Sequence, residues 1–258
     1  MKLYLKYIGV LLKGQMQYKA SFFMMTLSQF LVSFTVFLGV SFMMGRFHSV
    51  NGFTLPEVML CFSVVLMAFS LTECFARGFD RFPALIRTGQ LDRILVRPRN
   101  VIFQVLTSNL ELSRAGRLLQ AVLMLSYAVP ASGVQWTGEK LLGLAVMLLG
   151  GIAVFTGLFI LYAGITFFTL EGLEFMNIFT DGSREFGKYP LSIYGEGVLK
   201  FCTYVIPVAL FQYYPLLYLL GRSDRAWYLL LPLAGFLFIL PCYGFFRLGL
   251  GKYQSTGS

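Results

Sequence analysis

Residues 21–44 pass without one charged side chain, and no other feature limits the possible folds of this chain so strongly. About 18–20 consecutive apolar residues suffice for a helix to cross a hydrocarbon layer of roughly 30 Å. Comparable stretches lie at 56–76, 141–167 and 227–248. The composition agrees: 57% of residues are hydrophobic and 13% charged, about half the ~25% charged share usual in soluble domains. Mean hydropathy is +0.72. The 258 residues therefore read as an all-α polytopic membrane protein, a single transmembrane domain, rather than one or two soluble domains.

The formal charge of +9 follows from lysines and arginines collecting on cytoplasmic loops. No basic run is interleaved with aromatics on a soluble face, so no nucleic-acid partner is expected. The four cysteines, Cys61, Cys74, Cys202 and Cys242, lie in or beside apolar stretches without a CxxC pair. His48 is the only histidine. Neither metal binding nor thiol catalysis is indicated.

In residues 2–19, Lys2, Lys6, Gly9, Lys13 and Gln17 share one side of a helix, and Tyr4, Ile8, Leu11 and Leu12 lie elsewhere. That is the pattern of a helix lying in the membrane surface. The first span, 21–44, is too long for a signal-peptide core and no small-residue cleavage site follows it. A second span is expected at 56–76. A third helix begins near Val101, enters lipid after Arg117 and leaves near 130, and the fourth span covers 141–167. That span carries Gly143, Gly150, Gly157 and Gly164 at seven-residue steps, a drift of only ~20° per step. The glycines make one groove for close approach of a neighbouring helix.

Residues 170–200 hold Glu171, Glu174, Asp181, Arg184, Glu185 and Lys188. Hydropathy alone makes this a cytoplasmic loop and places the fifth span at 201–220. Pro207 and Pro215 interrupt that span. With six spans and both termini inside, seventeen lysines and arginines lie inside; only Arg46, Lys140, Arg222 and Arg225 lie outside. The bias fixes the orientation.

The loop after the second span, 77–100, then faces the cytoplasm. It carries six arginines between Arg77 and Arg99 against two acids, Asp80 and Asp92. Pro83 suits an early helical position, Gly89 a C-terminal cap and Pro98 a stop. Phe79, Phe82, Leu85 and Ile86 form a short apolar side, followed by Leu91, Ile94 and Leu95. A topological loop, a helix on lipid headgroups and a docking element for a soluble partner all fit these residues.

The stretch GQLDRILVRPRNVIFQVL resembles the signature that follows the second span in permease subunits of bacterial ABC exporters of the type-2 superfamily. It is most similar to the branch of daunorubicin-type and exotoxin-type export permeases. Residues 189–221 carry a second likeness, through Tyr189, Pro190, Ile193, Tyr194, Pro207, Pro215 and Gly221. The resemblance implies six transmembrane helices in a bacterial plasma membrane. It also implies a coupling helix seated on an ATP-binding subunit, and re-entrant half-helices over 191–220 near the outer face. The fifth span then moves to 172–190 and the charge bias becomes fifteen to six. Asp181, Arg184 and Glu185 would have to face a protein-lined or watery interior. Coupling is expected at Phe79, Phe82, Leu85, Gly89, Leu91, Leu95 and Pro98, with Asp92, Arg93 and Arg97 as polar anchors.

No G-x-x-x-x-G-K-[ST] motif occurs: Gly187–Lys188 and Gly251–Lys252 are each followed by tyrosine. ATP and magnesium are thus expected on a separate ATP-binding cassette subunit, present as a pair of like chains. A second permease chain, preferably a different one, would complete the pathway, with an amphipathic or apolar cargo. Glu111 and Arg114, one turn apart, are expected to pair at the rim or on the route, with Gln104, Ser108 and Glu111 on one face of the third helix. A lipid-modifying enzyme would need a catalytic cluster, and a channel would need a filter-like repeat or charged ring. Neither pattern is present.

Overall fold

The computed structural model describes residues 2–47, 49–169 and 175–254; His48, Glu171 and Glu174 lie outside them. Among the described residues there is no strand, only an isolated bridge between Val50 and Phe53.

Helix α1 (Lys2–Gln15) runs through a single 3-10 turn into α2 (Lys19–Phe47), with right-handed helical torsions at Gln15 and Lys19. The apolar helical path Tyr7–Phe47 contains 41 residues. At 1.5 Å per residue that is about 60 Å, twice the hydrocarbon thickness. The path is therefore too long to lie wholly within the layer as one upright span. Only Ser33, Val40 and Met44 of α2 are buried.

Helix α3 (Leu55–Asp80) is the opposite case. A capping box of Thr54 and Glu57, with Pro56 in the first turn, starts it. Val58 through Ser70 are all buried, so α3 is the central strut. Its Phe69 meets Phe155 edge-to-face at 5.0 Å, and Phe155 meets Phe211 at 5.9 Å. Two further short helices, α4 (Phe82–Arg87) and α5 (Gln90–Leu95), fold back at the Asp80 end.

The third helix is not continuous. α6 (Val101–Ser108) and α7 (Ala115–Ala131) are separated by an extended residue, Asn109 (φ −147°, ψ 116°), and a 3-10 turn. Gln104, Ser108 and Glu111 consequently do not share one helical face. The break lets α6 lie against α3, where a Cβ on Gly78 would stand 1.9 Å from the Val105 carbonyl oxygen.

The fourth long helix, α8 (Gly138–Thr169), packs on a 3-10 segment, Ala226–Leu233, and on the last helix. A Cβ on Gly150 would lie 2.4 Å from the Pro232 carbonyl oxygen, and one on Gly157 2.9 Å from Phe238. At Gly143 the neighbour is Leu229, and at Gly164 it is Phe245 and Phe246.

α9 (Phe175–Phe186) runs beside α3, so that a Cβ on Gly187 would meet Val65 at 2.7 Å. No single helix forms over 201–220. α10 (Glu196–Tyr204) and α11 (Val208–Leu219) meet at 113° across a break that contains Pro207. The proline has no N–H to continue the helix. Both ends of this pair return to the Leu55 end of α3. Asn51 donates to the Ser192 carbonyl at 3.5 Å, and Arg222 donates to Glu57 at 2.8 Å and to the Gly52 carbonyl at 2.7 Å. The chain closes with α12 (Ala234–Lys252). Among the described residues four helices are long and apolar enough to cross a membrane, five if α10 and α11 count as one bent span; α7, at 17 residues, falls just short of that length.

Candidate functional site at the arginine end

The helix start at Pro83, the left-handed Gly89 (φ 65°) and the turn at 96–99 make α4 and α5 an elbow-shaped hairpin. Its apolar side points into its own bundle. Phe79, Phe82 and Leu91 are 0–1% exposed, so they cannot be the surface that a partner touches, contrary to the expectation from sequence. Phe82 packs edge-to-face on Phe167 (5.1 Å) and Phe246 (5.3 Å), and Phe79 on Phe246 (6.0 Å). Leu85 is half-buried against the same core. The periodicity revealed a face but could not say that the chain covers it itself.

What the hairpin exposes is polar or isolated: Ala84, Arg87, Thr88 and Gln90 at the elbow, then Leu95, Val96, Arg97 and Pro98. Asp92 is turned toward Tyr253, whose hydroxyl is pushed up from its ordinary pKa by burial and then by the Asp92 carboxylate. Arg93 and Arg97 line, with Arg99, a pocket of about 300 Å3 beside α1.

Behind the hairpin the charges pair. Glu73, one turn before Arg77 on α3, is 3% exposed. It accepts from Arg77 at 2.9 Å and Arg117 at 2.5 Å, and Arg114 stands 3.6 Å away. Glu111 receives Arg114 at 2.9 Å and also pairs with Arg81. Gln29 of α2 accepts from Arg114 (2.8 Å) and Arg117 (2.9 Å). Glu111 and Arg114 therefore do pair, inside a cluster that ties α2, α3 and α7 together. Glu73, Arg117 and Gln29 were missed from sequence, although a lone acid four residues before an arginine in an apolar helix is a readable signal.

The other predicted polar group adjoins this cluster across the Phe69 ring. On α9, Arg184 pairs with Asp181 (3.2 Å) and Glu185 (2.9 Å), and Glu185 also holds Lys188. The Arg184 guanidinium lies 5.0 Å from the centre of the Phe69 ring, at mid-height on α3. Arg117, Arg184, Glu185 and Lys188 border one cavity of about 70 Å3. Asp181 and Glu185 nonetheless keep 52% and 47% of their side-chain surface exposed.

Of the motif at 189–221, Tyr189 reaches the Met43 sulfur at 3.5 Å and Pro190 is buried. Tyr194 packs edge-to-face on Phe186 at 5.2 Å. Gln212 of α11 donates to the Tyr189 carbonyl at 2.7 Å, which ties the bent pair to the end of α9. Pro207 precedes α11, and Pro215 is buried inside it.

The arrangement contains buried charge networks and no grouping of three or more metal-ligating side chains among the described residues. Residues 4–257 match the family model described as ABC-2 family transporter protein. No curated protein and no solved structure matches the chain. A model that takes in nearly the whole sequence settles the family: this chain belongs to the ABC-2 transporters and is the permease subunit of an ABC transporter.

Proposed function

We propose that this permease exports an amphipathic or apolar substrate across a bacterial plasma membrane, powered by a separate ATP-binding subunit seated on the α4–α5 elbow. One observation carries the reading: the elbow's apolar side is built against α8 and α12, and Ala84, Arg87 and Thr88 at its tip are solvent-exposed. A push at Arg87 or Thr88 would reach the bundle through Phe82, Phe167 and Phe246. The arginine bias puts this end in the cytoplasm, and α10 and α11 then form a re-entrant pair at the outer face. Their backbone leaves regular helix at 205–207, a break that membrane depth tolerates only under cover of protein or water.

The exposed carboxylates of α9 support a second permease chain. Asp181 and Glu185 flank the middle of the most buried helix, and hydrocarbon there would cost each charge several kcal/mol. A partner chain of the same family, with an aqueous route between the two, removes that cost. A different chain is favoured over a second copy on family likeness alone.

The test uses exposed elbow residues. Arg87→Glu together with Val96→Asp removes nothing from the core, because both side chains are exposed. The variant should reach the membrane and lose stimulated ATP hydrolysis at least tenfold, in line with removal of an interface anchor. Normal stimulation in a purified complex would refute the seat. Leu91→Asp is unsuitable, because Leu91 is fully buried and its loss would unfold the hairpin.

A further inference from the structure

Apart from Arg87 at the elbow tip, the arginines of the loop fall into two classes. Arg77 and Arg81 are committed to Glu73, Asp80 and Glu111. Arg93, Arg97 and Arg99 have no ion pair among the described residues, yet they converge on one pocket of about 300 Å3. That volume is at the lower end of ligand pockets. Three guanidiniums brought together without a carboxylate repel one another, and an anion is the missing counter-charge.

The other wall is different in kind. Tyr7 of α1 meets Phe103 of α6 edge-to-face at 6.3 Å, and both border the pocket. Gln104 donates through Nε2 to the Ile94 and Arg99 carbonyls, both at 3.0 Å, which fixes its amide. Its Oε1 is buried and has no partner. The pocket thus offers guanidinium donors for a phosphate, and Gln104 fixes its inner wall by tying α6 to the Ile94 and Arg99 carbonyls. From this wall the chain runs on through α1 and the 3-10 turn into α2 with exposed Val10, Leu12, Met16 and Tyr18 beside exposed Lys13 and Lys19, a mixture that is stable at the lipid–water boundary.

We propose that Arg93, Arg97 and Arg99 seat the phosphate of an anionic phospholipid headgroup. Arginine's fork matches phosphate oxygens in pairs, and basic pockets on the cytoplasmic side of helix bundles suit such headgroups. The headgroup would then bridge α5, α6 and α1. This inference rests on the membrane placement of the Asp80 end, and it assigns to lipid two arginines, Arg93 and Arg97, that the sequence suggested as ATPase anchors.

The experiment takes the full chain in nanodiscs, delipidates it and measures retained phosphatidylglycerol by native mass spectrometry. Phosphatidylcholine and free glycerol 3-phosphate are the comparison arms. The wild type should retain phosphatidylglycerol and neither comparison ligand. Arg93→Gln/Arg97→Gln/Arg99→Gln should weaken retention roughly 100-fold, at about 1 kcal/mol for each charge. The corresponding triple lysine variant should keep most of it. Equal binding of free glycerol 3-phosphate would overturn the lipid source. Unchanged phosphatidylglycerol retention in the triple glutamine variant would overturn the site. Should that variant instead keep its lipid and lose a co-purifying ATPase, the three arginines belong to a protein contact and the lipid assignment falls.

Discussion

The contact of α8 with the last two elements makes a graded prediction about single methyl groups. At Gly150 an added Cβ would meet the Pro232 carbonyl oxygen at 2.4 Å and the Pro232 Cβ at 2.5 Å. Backbone and ring atoms cannot swing aside, so α8 and the 226–233 segment would have to separate by about 1 Å. Overpacking of this kind costs about 1–3 kcal/mol, and the rigid neighbour puts Gly150→Ala at the upper end. Alanine recovers about 1 kcal/mol of helix propensity. The net loss is about 2 kcal/mol, or roughly 4–8 °C in melting temperature for a chain of this size.

Two controls sit on the same helix. At Gly143 the intruder is the Leu229 Cδ2 tip at 2.5 Å, which can rotate. The packing and propensity terms then nearly cancel, and Gly143→Ala should change the melting temperature little. Gly138 has nothing within 4 Å, so Gly138→Ala should cause no loss. Thermal unfolding of detergent-solubilised protein, followed by intrinsic fluorescence, reads all three. Equal melting temperatures for Gly150→Ala and Gly138→Ala would refute the reasoning. A larger loss at Gly143 than at Gly150 would do the same.

Other predictions concern charge. Glu73→Leu strands Arg117 without its carboxylate and should cost about 3–5 kcal/mol; Glu73→Leu/Arg117→Leu should be more stable than Glu73→Leu alone in the same melting assay. Arg222→Ala removes the tie from the end of α11 to Glu57 and Gly52 and should cost only about 1 kcal/mol, because the pair is partly exposed. Its clearer sign is faster hydrogen exchange of the 219–222 amides, with α3 unchanged. Gly89→Val forces a β-branched residue into a left-handed torsion, a penalty of about 1–2 kcal/mol. It should lower ATPase co-purification more than it lowers the melting temperature.

Local rules made most of the helices readable. Residues 21–44, 56–76, 141–167 and 227–248 announce themselves by hydropathy, and Thr54, Pro56 and Glu57 mark where α3 starts. The extended residue between α6 and α7 was invisible, because nothing local at Asn109 opposes a helix strongly enough to forecast it. Pro207 foretold a break in 201–220 but not the direction of the return. That direction depends on Arg222 reaching Glu57, 165 positions earlier in the chain, and no local pattern encodes such a meeting. The hairpin failed in an instructive way: amphipathicity located a buried face and left open which surface buries it. Glu73 was legible and overlooked, hidden by the apolar average of its helix.

The placement of rigid contacts suggests how a push would travel, if the elbow is the ATPase seat. Phe79 and Phe82 lock the hairpin to Phe246 of α12, and Phe167 of α8 closes the same aromatic group. α12 and α8 are in turn joined where glycines bring backbone to backbone, as at Gly235 against the Gly150 carbonyl, 2.5 Å from a would-be Cβ. Contacts of that kind hold one geometry and transmit displacement instead of absorbing it. α2 buries only three side chains, but it too is locked to a neighbour: a Cβ on Gly116 of α7 would stand 1.9 Å from the Thr26 carbonyl oxygen. Gln29 adds a polar tie to Arg114 and Arg117 of the same region. Force applied at the elbow would therefore move α4, α5, α8 and α12 as one body, and α2 would follow α7, to which its backbone is fitted.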